Sequence, residues 1–244
     1  MIPIARDVLI EARRNHFFLL SLGISIVVLL ITASFSSTDE ALRGKLFLES
    51  GISLLWLIHM LLTIFFTTDS LHNDLERKSI YYYLVREVSR LEYLIGKYLG
   101  IVCAIGLSLL ITGTVLVVCA TYLAGFDLRY LIGLVFIFLE ISLAAAVLIL
   151  FSTLFSKLIA VFAFLFLFFF MSLLEYYLVG SGGSILVKTF LLAVPNFKYY
   201  SYLNMVVHAR EFSLKYLSFL ASYTLFFSLS SVFLASLQFD RKPV

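Results

Sequence analysis

Two apolar runs, Leu131 to Phe155 and Leu158 to Val179, stand almost end to end, separated only by Ser156 and Lys157. A helix rises 1.5 Å per residue, so about 20 apolar residues cross the roughly 30 Å of bilayer hydrocarbon. No water is available there for peptide groups, so runs of this length must satisfy their own backbone and fold as helices. That constraint alone excludes an ordinary soluble domain. Composition agrees with it: mean hydropathy is +1.05, 62% of residues are apolar, 25 are Phe and only 14% are charged, against about a quarter in soluble domains. The fold class expected is an all-α polytopic membrane protein forming a single transmembrane domain over 1–244.

Six spans are read from the hydropathy pattern, at 17–34, 51–68, 95–123, 131–155, 158–179 and 214–236. Gly125, with Asp127 and Arg129 behind it, marks the turn into the fourth, and Ser156 with Lys157 makes a tight hairpin before the fifth. Six spans place both termini on one side. With the termini inside, eleven Lys and Arg fall on inner segments against seven on outer ones. This bias predicts a multi-pass inner (plasma) membrane protein with cytoplasmic termini. The N-terminus is charged and is not read as a cleaved signal.

Before the first span, Ile4, Val8, Leu9 and Ala12 recur at helical period, while Arg6, Asp7, Glu11, Arg13 and Arg14 occupy the other face. Residues 1–16 are therefore expected to form an interfacial amphipathic helix along the inner leaflet. Between the last two spans, 180–213 holds two apolar stretches (185–194 and 199–209) broken at Pro195, each too short to span. They predict an outer re-entrant helical hairpin.

The segment 69–94 raises the functional question. Asp69, Asp74, Glu76, Arg77, Lys78, Arg86, Glu87, Arg90 and Glu92 nearly balance in charge, so the loop is not a polybasic lipid clamp. Ile80 to Val85 form an apolar, tyrosine-rich centre framed by those charges, as in a protein-docking helix, although a plain solvated connection has the same composition. Ser89 and Glu92 have capping-box spacing at the start of the third span.

The run D-L-E-R-K-S-I-Y-Y-Y-L, followed by R-E-V-S-R-L-E-Y-L-I-G-K-Y-L-G, resembles the first cytoplasmic loop of type-2 ATP-binding-cassette (ABC) exporter permeases. Glu76 stands at that family's acidic position, Ser89 and Arg90 at its Ser-Arg, and Gly96 and Lys97 at its Gly-Lys. Glu87 departs from the usual proline, which leaves the local bend open. The order of elements is also similar along the whole chain, including F-S-T-L-F-S at 151–156 and the proline-broken segment before the last span. The resemblance implies a coupling helix around Asp74 to Leu84. It implies ATPase docking by Asp74, Glu76, Arg77, Ser79, Tyr81, Tyr82 and Arg90, with Lys157 in the inner hairpin. Two permease copies would assemble with two cytoplasmic ABC ATPase subunits in the bilayer, with no nucleic acid involved. ATP and Mg would belong to the ATPase, because this chain has no G-x-x-x-x-G-K-[ST] and no cofactor site of its own.

No enzyme motif is present, and the chain is read as not an enzyme. Cys103 and Cys119 share one apolar run and suggest neither a disulfide nor a metal site. Glu140 is the sharpest single residue, since an acid mid-span costs about 2.5–3.5 kcal/mol on insertion scales and must face protein or water. It is a candidate for the translocation path or dimer interface, or for a structural hydrogen bond. His59 is a second candidate, with a bond to a neighbouring helix favoured over proton transfer. Two functions from different classes follow: an exporter subunit moving an amphipathic or lipid-like cargo, or a membrane scaffold that docks a cytoplasmic complex without transport. An intramembrane enzyme built on Glu140 and His59 is the remaining alternative.

Overall fold

Apolar stretches and the residues between them set the helix ends one by one. The computed structural model describes residues 1–34, 40–76, 88–180, 194–201 and 213–240, and every long element among them is an α-helix, with no strand. α1 (Ile2–Arg14) ends at Asn15, whose extended backbone breaks the helix. The Asn15 side chain then starts α2 (His16–Ser34), its Oδ1 accepting from the amides of Phe17 and Phe18 at 2.9 and 3.2 Å. Two amides that a helix start would leave unpaired are satisfied by one residue.

α3 (Glu40–Glu76) is 37 residues long, about 55 Å at helical rise. It overruns the expected span 51–68 at both ends, because neither Gly nor Pro interrupts 52–76 and the polar residues of its last turns find partners. α4 (Arg90–Ala124) opens on the expected capping box. Ser89 Oγ accepts from the Glu92 amide at 3.2 Å, and the Glu92 carboxylate accepts from the Ser89 amide at 3.1 Å. α4 ends at Gly125, whose φ of 84° suits a residue without Cβ. Asp127 caps α5 (Leu128–Leu154) through the Arg129 amide at 2.9 Å. Extended Phe155 and then Ser156 make the expected tight turn into α6 (Lys157–Gly180). After Pro195, Asn196 starts a single 3-10 turn, Phe197–Tyr200, and α7 (Leu214–Asp240) closes the described chain.

Among the described residues, five helices are long and apolar enough to cross a bilayer: α2, α3 over Gly44–Asp74, α4, α5 and α7. α6 has 24 helical residues, about 36 Å, and its described apolar part is Lys157–Met171. The expected outer hairpin falls outside the described residues apart from 194–201, where the only helical piece is the 3-10 turn.

α5 is the central post. Every residue from Glu140 to Ile149 is buried, and α3, α4, α6 and α7 all pack on it. α2 lies at the periphery and exposes Leu20, Val27, Leu30 and Ile31. With no aqueous core to hide from, such side chains suit a hydrocarbon surround.

The expected amphipathic helix is present as α1, and its apolar residues Ile4, Val8 and Ala12, only 1–3% exposed, sit against α4. The reason is Gly96 and Gly100. A Cβ at 100 would come within 2.7 Å of the Val8 Cβ, and one at 96 within 3.0 Å of the Met1 carbonyl. The glycine groove brings the two backbones together, and α1 becomes part of the bundle.

Candidate functional site

Two polar centres lie along one face of α3, one in its last turns and one near its middle. At the α1 end, Lys97 extends from α4 beside Gly96, with its side chain 3% exposed. Its ammonium bonds the Asp74 carboxylate of α3 at 2.7 Å and the Glu11 carboxylate of α1 at 3.3 Å. Ser70 of α3 donates to the same Glu11 oxygen at 2.6 Å, and the Tyr93 hydroxyl of α4 donates to Asp74 at 2.6 Å. A buried ammonium is tolerated only when its charge is met, and two carboxylates from different helices meet it here. The result is one clasp joining α1, α3 and α4. A cavity of about 480 Å³ opens beside it, bounded by Asp7, Glu11, Arg14, Asn73, Asp74 and Lys97 among others.

About 27 Å along α3, Trp56 Nε1 donates to a carboxylate oxygen of Glu140 at 2.8 Å. Glu140 is 4% exposed, which places the mid-span acid against protein. Trp56, Glu140, Phe197 and Tyr200 line a cavity of about 470 Å³ with Ser53 and Ser201 at its edge. Phe168 backs Trp56 with ring centroids 6.2 Å apart, and Phe197 lies 5.2 Å from Phe168 and 5.7 Å from Phe164. The Tyr200 hydroxyl pairs with Thr224 of α7 at 2.7 Å.

Between the two centres, His59 occupies the same face. Its Nδ1 lies 2.9 Å from the Leu55 carbonyl, an acceptor only, so Nδ1 carries the proton. Nε2 is then the acceptor for Ser108 of α4 at 3.3 Å, with Thr112 at 3.4 Å. The bond to a neighbouring helix favoured from sequence is what the structure contains. His59 and Glu140 share no hydrogen bond, and among the described residues no His, Cys, Asp and Glu cluster could hold a metal.

The docking candidates separate. Asp74, expected in a coupling helix within the loop, instead lies in the last turn of α3 and faces inward onto Lys97. Glu76 ends the same helix and is exposed. Arg90 is the first residue of α4, immediately after its cap. Lys157, first in α6, pairs with Asp69 of α3 at 2.5 Å and so ties the short hairpin to the same end of the bundle. Arg77, Ser79, Tyr81 and Tyr82 lie outside the described residues.

Sequence reasoning missed Glu11 and Lys97 as partners and missed Trp56 altogether. A signal for Trp56 existed, because Trp56, His59, Thr63, Ser70 and Asp74 recur at intervals that keep one helix face. No family model matches the chain, and no curated protein matches it.

Proposed function

We propose that this chain is the transmembrane subunit of an ABC exporter, paired with a second permease copy and driven by two separate cytoplasmic ATPase subunits that hold ATP and Mg. The α1 end of the bundle would be cytoplasmic, and the charged connection 77–89 would dock on the ATPase. One observation carries the reading: where that connection leaves the bundle, three helices are locked into a unit by Lys97, Asp74 and Glu11.

The mechanism follows from that unit. The connection is flanked by the end of α3 and the capped start of α4, so force applied through it would be delivered to both helices. The clasp makes α1 follow, and the Lys157–Asp69 pair adds the hairpin before α6. ATP binding that closes the ATPase pair would thus bias the spans between two arrangements, as a ligand biases any two-state element. Transport proper would occur between the two permease copies, with the Glu140 cavity on the path.

Co-purification of the tagged chain with the ATPase encoded beside it, followed by an ATP hydrolysis assay, tests the reading. The informative variant is Glu76→Lys with Arg77→Glu, since Glu76 is exposed. Asp74→Lys would instead put two cations together at the clasp. Loss of assembly or of regulated hydrolysis in the double variant supports docking by this connection. A complex indifferent to it moves docking elsewhere, and absence of any ATPase partner favours the non-transporting scaffold.

A further inference from the structure

The cavity at Glu140 has a chemistry that the exporter reading does not explain by itself. Its volume, about 470 Å³, is in the range of small-molecule sites, roughly 300–1,000 Å³. Its walls include an indole, a phenyl ring and a phenol, from Trp56, Phe197 and Tyr200, beside Leu54 and Leu57, and the Glu140 carboxyl is the acidic side chain among its described lining residues. Trp56 and Glu140 both lie within membrane-crossing stretches, so a ligand reaches the site at bilayer depth.

Three ligand classes can be weighed against those walls. An anion would meet the carboxylate and the negative faces of the rings, and no cationic side chain lines the cavity among the described residues. A hard metal ion needs about six or more oxygen donors, which a largely aromatic wall does not supply. An organic cation satisfies both features at once, its charge toward the carboxylate and its carbon shell against ring faces. We propose that this cavity binds a monovalent organic cation with an apolar body, a protonated or quaternary amine, with Glu140 meeting the charge and Trp56, Phe197 and Tyr200 enclosing it. The inference names a cargo class for the exporter and in that respect rests on the proposed function.

The chain contains a single Trp, so intrinsic indole fluorescence reports on this cavity and nowhere else. Full-length protein in zwitterionic detergent micelles, which contain no other protein, is titrated with benzyltrimethylammonium, with its uncharged carbon isostere neopentylbenzene, and with benzylsulfonate. The expected result is a saturable change with the cation, binding about tenfold or more weaker for the isostere, and none for the anion. Glu140→Gln brings the cation and the isostere to within about twofold, whereas Glu140→Asp keeps the preference. Equal affinities in the wild type, no saturable response to the cation, or an undiminished preference in Glu140→Gln would each overturn the assignment. If Glu140→Gln does not fold, the wild-type comparison of the three probes decides alone. Cation binding without an ATPase partner keeps the site and removes the export reading. An ATPase partner without cation preference keeps export and overturns the cargo class.

Discussion

Lys97 shows how much one side chain can organise. A long apolar helix would place it in hydrocarbon, yet its ammonium has carboxylates on two sides, at 2.7 and 3.3 Å. Lys97→Met removes the charge and leaves Asp74 and Glu11 facing each other. Buried pairs broken on one side lose roughly 3–5 kcal/mol. Here the carboxylates are 21% and 31% exposed and partly screened, so about 2 kcal/mol is expected. Denaturant unfolding in detergent would register this as a lower midpoint, and adding Asp74→Asn and Glu11→Gln should return part of the loss. The same logic holds at Trp56: Trp56→Phe keeps an aromatic ring but removes the hydrogen bond to Glu140. Leaving a buried polar group without its partner costs about 1–3 kcal/mol, so Trp56→Phe should unfold more readily than wild type by about that amount, as measured by thermal melting.

At the scale of elements, the join between α1 and α4 depends on backbone proximity. Gly100→Leu inserts a side chain where a Cβ alone would approach the Val8 Cβ to 2.7 Å and the Ala5 backbone to 3.0 Å. Overpacking typically costs about 1–3 kcal/mol, and displacement of α1 relieves it. The measurable sign is faster proteolysis or hydrogen exchange within Ile2–Arg14 while the long helices stay protected. Ser89→Ala removes one half of the capping box and is expected to cost about 1 kcal/mol, seen as fraying confined to the first turn of α4. On the proposed exporter reading, Gly100→Leu should also weaken stimulation of the ATPase that the reading proposes, without abolishing assembly with it.

Across the whole molecule, α5 is the element on which the others depend. α3, α4, α6 and α7 meet it, and the two polar centres lie on one face of α3, at one end of its membrane-crossing length and near its middle. Such an arrangement lets a displacement at the α1 end reach the Glu140 cavity through one rigid helix. Sidedness is checked by single-cysteine labelling with a membrane-impermeant maleimide in a Cys103→Ser, Cys119→Ser background. Glu76→Cys and Arg13→Cys should be protected in intact cells and labelled in inverted vesicles. Labelling of both from outside would reverse the orientation and remove the cytoplasmic docking reading.

Long hydrophobic runs, the Ser89–Glu92 spacing, Gly125 and the Ser156–Lys157 turn determined the helices, their ends and their membrane character, because these depend on local backbone satisfaction in lipid. The amphipathic period of α1 was legible too, but its destination was not. Only packing could show that Gly96 and Gly100 would draw Ile4 and Val8 onto α4 and away from lipid. Asp74 read as a loop residue since the apolar run ends just before Asp69. Lys97, 23 residues further on, supplied the counter-charge that let α3 continue. Glu140 was conspicuous in sequence as a cost without a partner, and Trp56 was inconspicuous because an aromatic residue in a span is ordinary. Their pairing across 84 positions was decided by tertiary structure, since a buried charge is stabilised by whatever the fold brings beside it, and sequence neighbours do not specify that.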